Sequence, residues 1–223
     1  VSTNRLLSTI AYRFKDKITY GLEGSVFVAG SSVQWLRDEL KFFEDASDTE
    51  SLVSLRDKTS NVLVVPAFTG LGAPHWDPEA RGAIFGITRA TGINEITTAT
   101  LESIAFQTRD LIEASAKDGA VIKELRVDGG MVANDWFNKQ LSNLLGVKIL
   151  KPKFLETTAL GAAYLAGISS GLVDDFNHLQ NSILVDKEIS PMEAEKVSLE
   201  LKYKNWLKAV EVIKLINSKQ EEI

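Results

Sequence analysis

The sequence predicts a single α/β domain in which a mixed sheet is flanked by helices. Three observations carry that expectation. The chain opens with two short β-branched, apolar runs joined by a polar turn. Helical stripes then alternate with short unbroken apolar runs, the pattern of strands buried on both faces. No internal repeat or low-complexity linker divides the 223 residues, a length that one large domain accommodates.

The elements follow in order. "RLLSTIAYRF" (5–14) and "ITYGLEGSV" (18–26) read as a hairpin across the polar "KDK", which argues against a purely parallel sheet. In 28–43, Val33, Leu36, Leu40 and Phe43 recur at helical spacing, and Ser31 or Ser32 is placed to cap that helix. A polar turn leads to a short helix starting near Asp48 or Thr49. "NVLVVPAF" (61–68) reads as a buried strand stopped by Pro66, and a Gly/Pro-rich loop then returns as the strand "GAIFGIT". The longest internal helix spans 94–119, with Ile96, Thr100, Ile104, Thr108 and Leu111 on one face. A strand (121–129), a helix (134–146) and a strand ended by Pro152 follow. Residues 156–171 form a helix rich in Gly and Ala, a composition that points to tight contact with the sheet. The terminal helix, about 190–218, starts at "SPME" and carries Leu199, Tyr203, Trp206, Val210 and Ile213 on its buried stripe.

Composition narrows the function. A net charge of −5 provides no basic field for nucleic acid. The absence of cysteine rules out disulfides, thiolate zinc sites and a cysteine nucleophile, and it fits the cytoplasm. His75 and His178 are too few for a His-rich zinc site, so no protein metal site is expected. No run of about eighteen apolar residues suggests a membrane span. The start lacks both a signal peptide's apolar core and an initiator Met, so a fragment of a longer chain is expected.

Three segments can carry chemistry. In "VDGGMVAND" (127–135), Gly129 and Gly130 stand where a strand hands over to a helix that Asn134 would start. Either this is a tight turn with an ordinary N-cap, or a ligand lies against the main chain beside free helix N–H groups. In "EGSVFVAGSSVQWLRDEL", Gly30 and Gln34 offer close backbone approach plus an amide, or simply a helix with an exposed Gln. In "VVPAFTGLGAPHWDPEARG", Phe68 can form an apolar wall, whereas no partner acid is fixed for His75 by spacing. Neither G-x-G-x-x-G nor G-x-x-x-x-G-K-[ST] occurs, which disfavours the two nucleotide-binding classes they mark.

Taken in order, these three segments resemble the C-terminal domain of glycerol kinases, members of the carbohydrate-kinase family with the actin/hexokinase-like (ribonuclease H-like) ATPase fold. The likeness continues through "ATLESIAFQTRDLIEA" and "ETTALGAAYLAG" and covers roughly residues 6 to 173. The resemblance implies a two-domain kinase in which this chain, 1–223, is the single C-terminal nucleotide-binding domain. It implies that Gly30, Gln34, Gly129, Gly130 and Asn134 contact ATP or ADP, and that Phe68 packs on the carbon skeleton of glycerol. Many relatives carry Tyr at the position of His75, so no role passes to it. The implied reaction transfers the γ-phosphoryl of MgATP to glycerol, with Mg²⁺ arriving on the nucleotide. The catalytic base and most glycerol contacts are expected in an N-terminal domain that this chain lacks. Alone, it is then expected to have little or no kinase activity. The whole enzyme is expected to be a cytoplasmic homo-oligomer. Two alternatives stay open: the C-terminal half of another sugar or polyol kinase, and a stand-alone nucleotide-binding or interaction module.

Overall fold

A computed structural model describes residues 1–14, 16–154, 156–174 and 184–218. His178 lies outside the described residues. Strands β1 (Leu7–Phe14) and β2 (Lys17–Glu23) form the expected antiparallel hairpin, with a bulge between Ile10 and Tyr12. Strands β3 (Leu63–Val65) and β4 (Ala83–Phe85) pair antiparallel. The run 61–68 yields so short a strand because Pro66 has no N–H to continue the ladder. Strand β4 stops at Gly86, whose φ of 74° brings the chain against Asn61. The third sheet has the order β5 (Glu124–Arg126), β6 (Lys148–Pro152), β7 (Val185–Ile189). It is mixed: β5 and β6 run parallel, and β7 returns antiparallel. Strand β7 is an addition to the expected elements.

Helix α1 (Gly30–Asp38) is shorter than the expected 28–43. Lys41 adopts a left-handed φ of 56°, and the Leu40 and Phe42 N–H groups turn back onto the Trp35 and Leu36 carbonyls. That closure ends the helix before Leu40, which is left exposed. The expected serine cap is also corrected. Ala29 holds the N-cap position without a side-chain bond, and Ser32 Oγ donates to the Ala29 carbonyl. A 3₁₀ turn (Ala46–Asp48) then leads into α2 (Thr49–Ser54).

Helix α3 (Ile93–Lys117) is the hub of the domain. The expected single stripe becomes burial on all sides, because every residue from Thr97 to Gln107 is buried. Hydroxyls make this tolerable by bonding to the helix's own carbonyls: Thr98 to Asn94, Thr100 to Ile96 and Ser103 to Thr100. Glu102, 4% exposed, is matched by Lys202 Nζ at 2.8 and 3.0 Å. Helix α4 (Asp135–Leu145) starts at Asn134 and ends at Gly146, which is left-handed with φ 66°.

Helix α6 (Glu193–Ser218) buries Leu199, Tyr203, Trp206, Val210 and Ile213, the stripe expected from its spacing. Each such aliphatic side chain contributes roughly 1.5–3 kcal/mol. Trp206 is fully buried, and its indole N–H donates to the Val64 carbonyl at 3.0 Å, so its one polar atom is satisfied. Helix α5 (Thr157–Ser169) corrects another expectation. None of its residues is buried, so its small side chains make no tight contact with the sheet. The close approach they do allow is local, with Val173 folding back onto Gly167.

Candidate functional site

A cavity of about 520 Å³ opens between the start of α1, the turn before α2 and the segment before α4. Such a volume suits a small organic ligand. Four of the six residues singled out by sequence line it: Gly30, Gln34, Gly130 and Asn134. Gly129 and Phe68 are not among its lining residues. The cavity therefore unites two segments that lie far apart in sequence, and α3 contributes Leu101 to it.

The segment before α4 differs from the expected direct strand-to-helix turn. A 3₁₀ turn, Gly130–Ala133, stands between the double glycine and the helix. Gly129 has φ 86° and ψ 178°, a conformation almost confined to glycine, so its residue type follows from the backbone. Gly130 is different. Its φ is ordinary, and an added Cβ would meet nothing within 4 Å. The backbone therefore leaves room for a Cβ there, at a residue that lines the cavity.

Asn134 is both cap and clamp. Its Oδ1 accepts from the Phe137 N–H at 2.9 Å, which satisfies one orphan donor of α4. Its Nδ2 donates to Thr49 Oγ1 at 3.0 Å, and that hydroxyl donates to the Ala46 carbonyl at 2.7 Å. The capping reading of Asn134 therefore holds at the same time as its place on the cavity wall. Gln34 is exposed, and its amide has no hydrogen bond among the described residues. The first turn of α1 holds no acidic residue and has no side-chain cap, so its N–H groups and dipole favour an anion.

Sequence reasoning missed the far wall, where Arg37, Asp45, Ser47 and Glu50 line the cavity. The 45–50 stretch reads as a polar turn, and the Asn134–Thr49 bond ties it to the segment that carries the double glycine. Asp45 Oδ1 accepts from the Ser47 N–H and hydroxyl at 3.0 and 2.9 Å. Those bonds hold its carboxyl below the usual carboxylate range.

Phe68 lies half-buried against Trp35, with ring centroids 5.0 Å apart. His75, left without a partner by spacing, has one in the fold. Its Nε2 lies 2.7 Å from Asp110 Oδ2, and the Tyr203 hydroxyl donates to Asp110 Oδ1. This chain ties the Gly/Pro-rich loop to both α3 and α6. Among the described residues, no group of three or more His, Cys, Asp or Glu could hold a metal ion. No described helix is long and apolar enough to cross a membrane.

A mixed-sheet α/β domain with a ligand-sized cavity at two helix starts is the build of a small-molecule-binding domain. The chain belongs to the FGGY family of carbohydrate kinases: residues 6–170 match the C-terminal domain of that family. It is 50% identical over 210 residues to a glycerol kinase of Coxiella burnetii (strain RSA 331 / Henzerling II), covering 94% of this chain and 42% of that protein. It is 50% identical over 214 residues to the glycerol kinase of Ectopseudomonas mendocina (strain ymp), covering 96% and 43%. The chain thus spans about two fifths of the length of these curated relatives. Among solved structures, Plasmodium falciparum glycerol kinase with ADP superposes with a TM-score of 0.84 at 37% identity, over 95% of this chain and 42% of that one. A ligand-bound xylulose kinase from Lactobacillus acidophilus shares the fold, with a TM-score of 0.83 at 24% identity, over 96% and 43%.

Proposed function

We propose that this chain is the nucleotide-binding part of a glycerol kinase, which transfers the γ-phosphoryl group of MgATP to a terminal hydroxyl of glycerol. The observation that carries the reading is Gly130, a glycine that the backbone does not require, facing free space in a cavity shared with Gly30 and Gln34. The names of the relatives supply the reaction class.

In this reading the phosphates lie toward the uncapped start of α1, where N–H dipoles offset their charge. Gly30 and Gly130 let the nucleotide approach the main chain, with the Gly129 turn presenting Gly130. Gln34 offers its free amide to ribose or base, and Asn134 holds the wall at its fixed distance from Thr49. Phe68, backed by Trp35, presents an apolar face to the glycerol carbons. Magnesium enters with the nucleotide as part of the substrate and supplies charge neutralisation at the phosphates. A carboxylate base outside this set accepts the hydroxyl proton as the new P–O bond forms and ADP leaves. That base belongs to an N-terminal domain that completes the cleft. The whole enzyme works in the cytoplasm as a homo-oligomer, and this chain by itself turns over little or no glycerol.

The test is calorimetric titration of ADP into the chain and into Gly130→Val. The added Cβ meets no protein atom within 4 Å, so the fold should survive, as a melt without ADP will verify, while ADP affinity drops at least about tenfold. Equal affinity in the two proteins would sink the assignment.

A further inference from the structure

The chain has no cysteine, so its two methionines, Met131 and Met192, hold all of its sulfur. Met131 lines the cavity; Met192 is not among its lining residues and is 50% exposed. Met131 sits in the 3₁₀ turn Gly130–Ala133, half-buried and packed against the main apolar core. Its side chain reaches the start of α1: a Cβ added to Gly30 would meet Met131 Cγ at 3.6 Å and Sδ at 3.9 Å. Gly30 has no side chain, so nothing beyond its own backbone shields the sulfur on that side. The main chain around Met131 is pinned. The Asn134 N–H donates to the Met131 carbonyl at 3.2 Å, the Val132 N–H to the Gly129 carbonyl at 3.3 Å, and the buried Asn138 amide to the Val132 carbonyl at 2.8 Å. A chemical change in the Met131 side chain is therefore taken up at the cavity wall, because the turn is held against shifting.

A thioether is soft and apolar, which suits a wall it shares with the buried Val33 and Leu101. Its sulfoxide is polar and bulkier by one oxygen. We propose that Met131 is an oxidation site through which peroxides weaken nucleotide binding. The sulfur lone pair attacks one peroxide oxygen, and the S–O bond forms as the O–O bond breaks. The departing hydroxide takes the proton left on the transferred oxygen and leaves as water, so sulfur is oxidised and the peroxide is reduced. The added oxygen takes up space beside Gly30, where the nucleotide approaches the main chain. It also needs a hydrogen bond that Val33 and Leu101 cannot supply. This rests on the nucleotide reading above and adds to it a chemical signal to which the site responds.

The unaltered chain, Met131→Leu and Met192→Leu are each treated with hydrogen peroxide, mapped by peptide mass spectrometry and titrated with ADP beside their own untreated samples. Melting without ADP verifies that the treated proteins stay folded. The expected result is oxygen added at both methionines of the unaltered chain, with ADP affinity about tenfold lower. Met192→Leu should show the same loss, whereas Met131→Leu should keep the affinity of its untreated sample to within about twofold. ADP present during treatment should slow oxidation at Met131 and leave Met192 unaffected, and methionine sulfoxide reductase should restore binding. The proposal is overturned if Met131 stays unmodified while Met192 is oxidised, or if oxidised Met131 leaves ADP affinity unchanged. Loss of the folded melting transition on treatment overturns it too, as does an equal loss of affinity in Met131→Leu. In each of those cases the nucleotide site stands, because the untreated chain still binds ADP. If the untreated chain binds no ADP, the site assignment and this proposal fall together.

Discussion

Tyr203→Phe removes one hydroxyl and nothing else. The ring keeps its neighbours, Phe106 at 5.8 Å, Trp206 at 6.4 Å and the Arg109 guanidinium at 4.1 Å. What is lost is the donor to Asp110 Oδ1, on a carboxylate whose side chain is 5% exposed and whose other oxygen faces His75. Leaving a buried charged acceptor short of one donor costs about 2 kcal/mol. For a chain of this length, each kcal/mol lowers Tm by roughly 2–4 °C, so the variant should melt about 4–8 °C lower. Differential scanning calorimetry at pH 7 reads this directly. The same substitution in an Asp110→Asn background should cost less, because the pair acts as a unit. The pH dependence adds a second readout. Burial first, and the Asp110 carboxylate next, raise the Tyr203 phenol above the ordinary tyrosine range. A raised folded value means the contribution is fully present below pH of about 10 and is lost as pH climbs toward the folded value. Alkaline destabilisation should therefore be shallower in Tyr203→Phe. A melting shift below about 1 °C, on the same scale of degrees per kcal/mol, would show that the Asp110 cluster contributes nothing to the joint between loop, α3 and α6.

Three further outcomes follow from the structure. Gly129→Ala should destabilise by about 1–3 kcal/mol through backbone strain, while Gly130→Ala should be close to neutral, as paired urea titrations will show. Lys202→Met leaves Glu102 buried without its partner and should cost about 3 kcal/mol, with partial recovery on adding Glu102→Gln; thermal melts of the single and double variants decide this. Asp118 accepts from the Ser2 hydroxyl, the Thr3 N–H and the Asn4 amide, which together lower its carboxyl far below the usual range. Its contribution is present above about pH 4 and is lost as pH falls toward the folded value. Asp118→Asn should flatten the stability change in that acid window, and an unchanged acid profile would count against the tie.

What was legible in the sequence was local. The α6 stripe, the hairpin and the Asn134 cap each rest on residues within a turn or two of one another, and each is found. Strand β7 escaped because three charged residues in a row, Asp186, Lys187 and Glu188, mask its alternation. Those charges are used across strands and toward α4, with Lys148 to Glu188 at 2.7 Å and Lys187 to Asp135. The all-round burial of α3 was hidden because Thr and Ser look polar until their hydroxyls bond to the helix's own carbonyls. The glycine wall of the cavity could be read, because Gly30, Gln34 and Gly130 stand out at element junctions. The 45–50 side could not, since nothing in that polar turn shows that Thr49 meets Asn134 in the folded chain. His75 gained its partner acid in the same way, from Asp110 on a helix 35 residues along the chain.

The Asn134–Thr49 bond spans 85 residues of sequence, so the two sides of the cavity meet only when distant parts of the chain have folded together. A ligand held there recognises the finished tertiary structure and has no counterpart site in the unfolded chain. Its binding energy is then added whole to global stability: a nucleotide at one hundred times its Kd should raise the unfolding free energy by about 2.7 kcal/mol. Amides buried far away in α6 would exchange more slowly by the same factor as those beside the cavity, wherever exchange requires global unfolding.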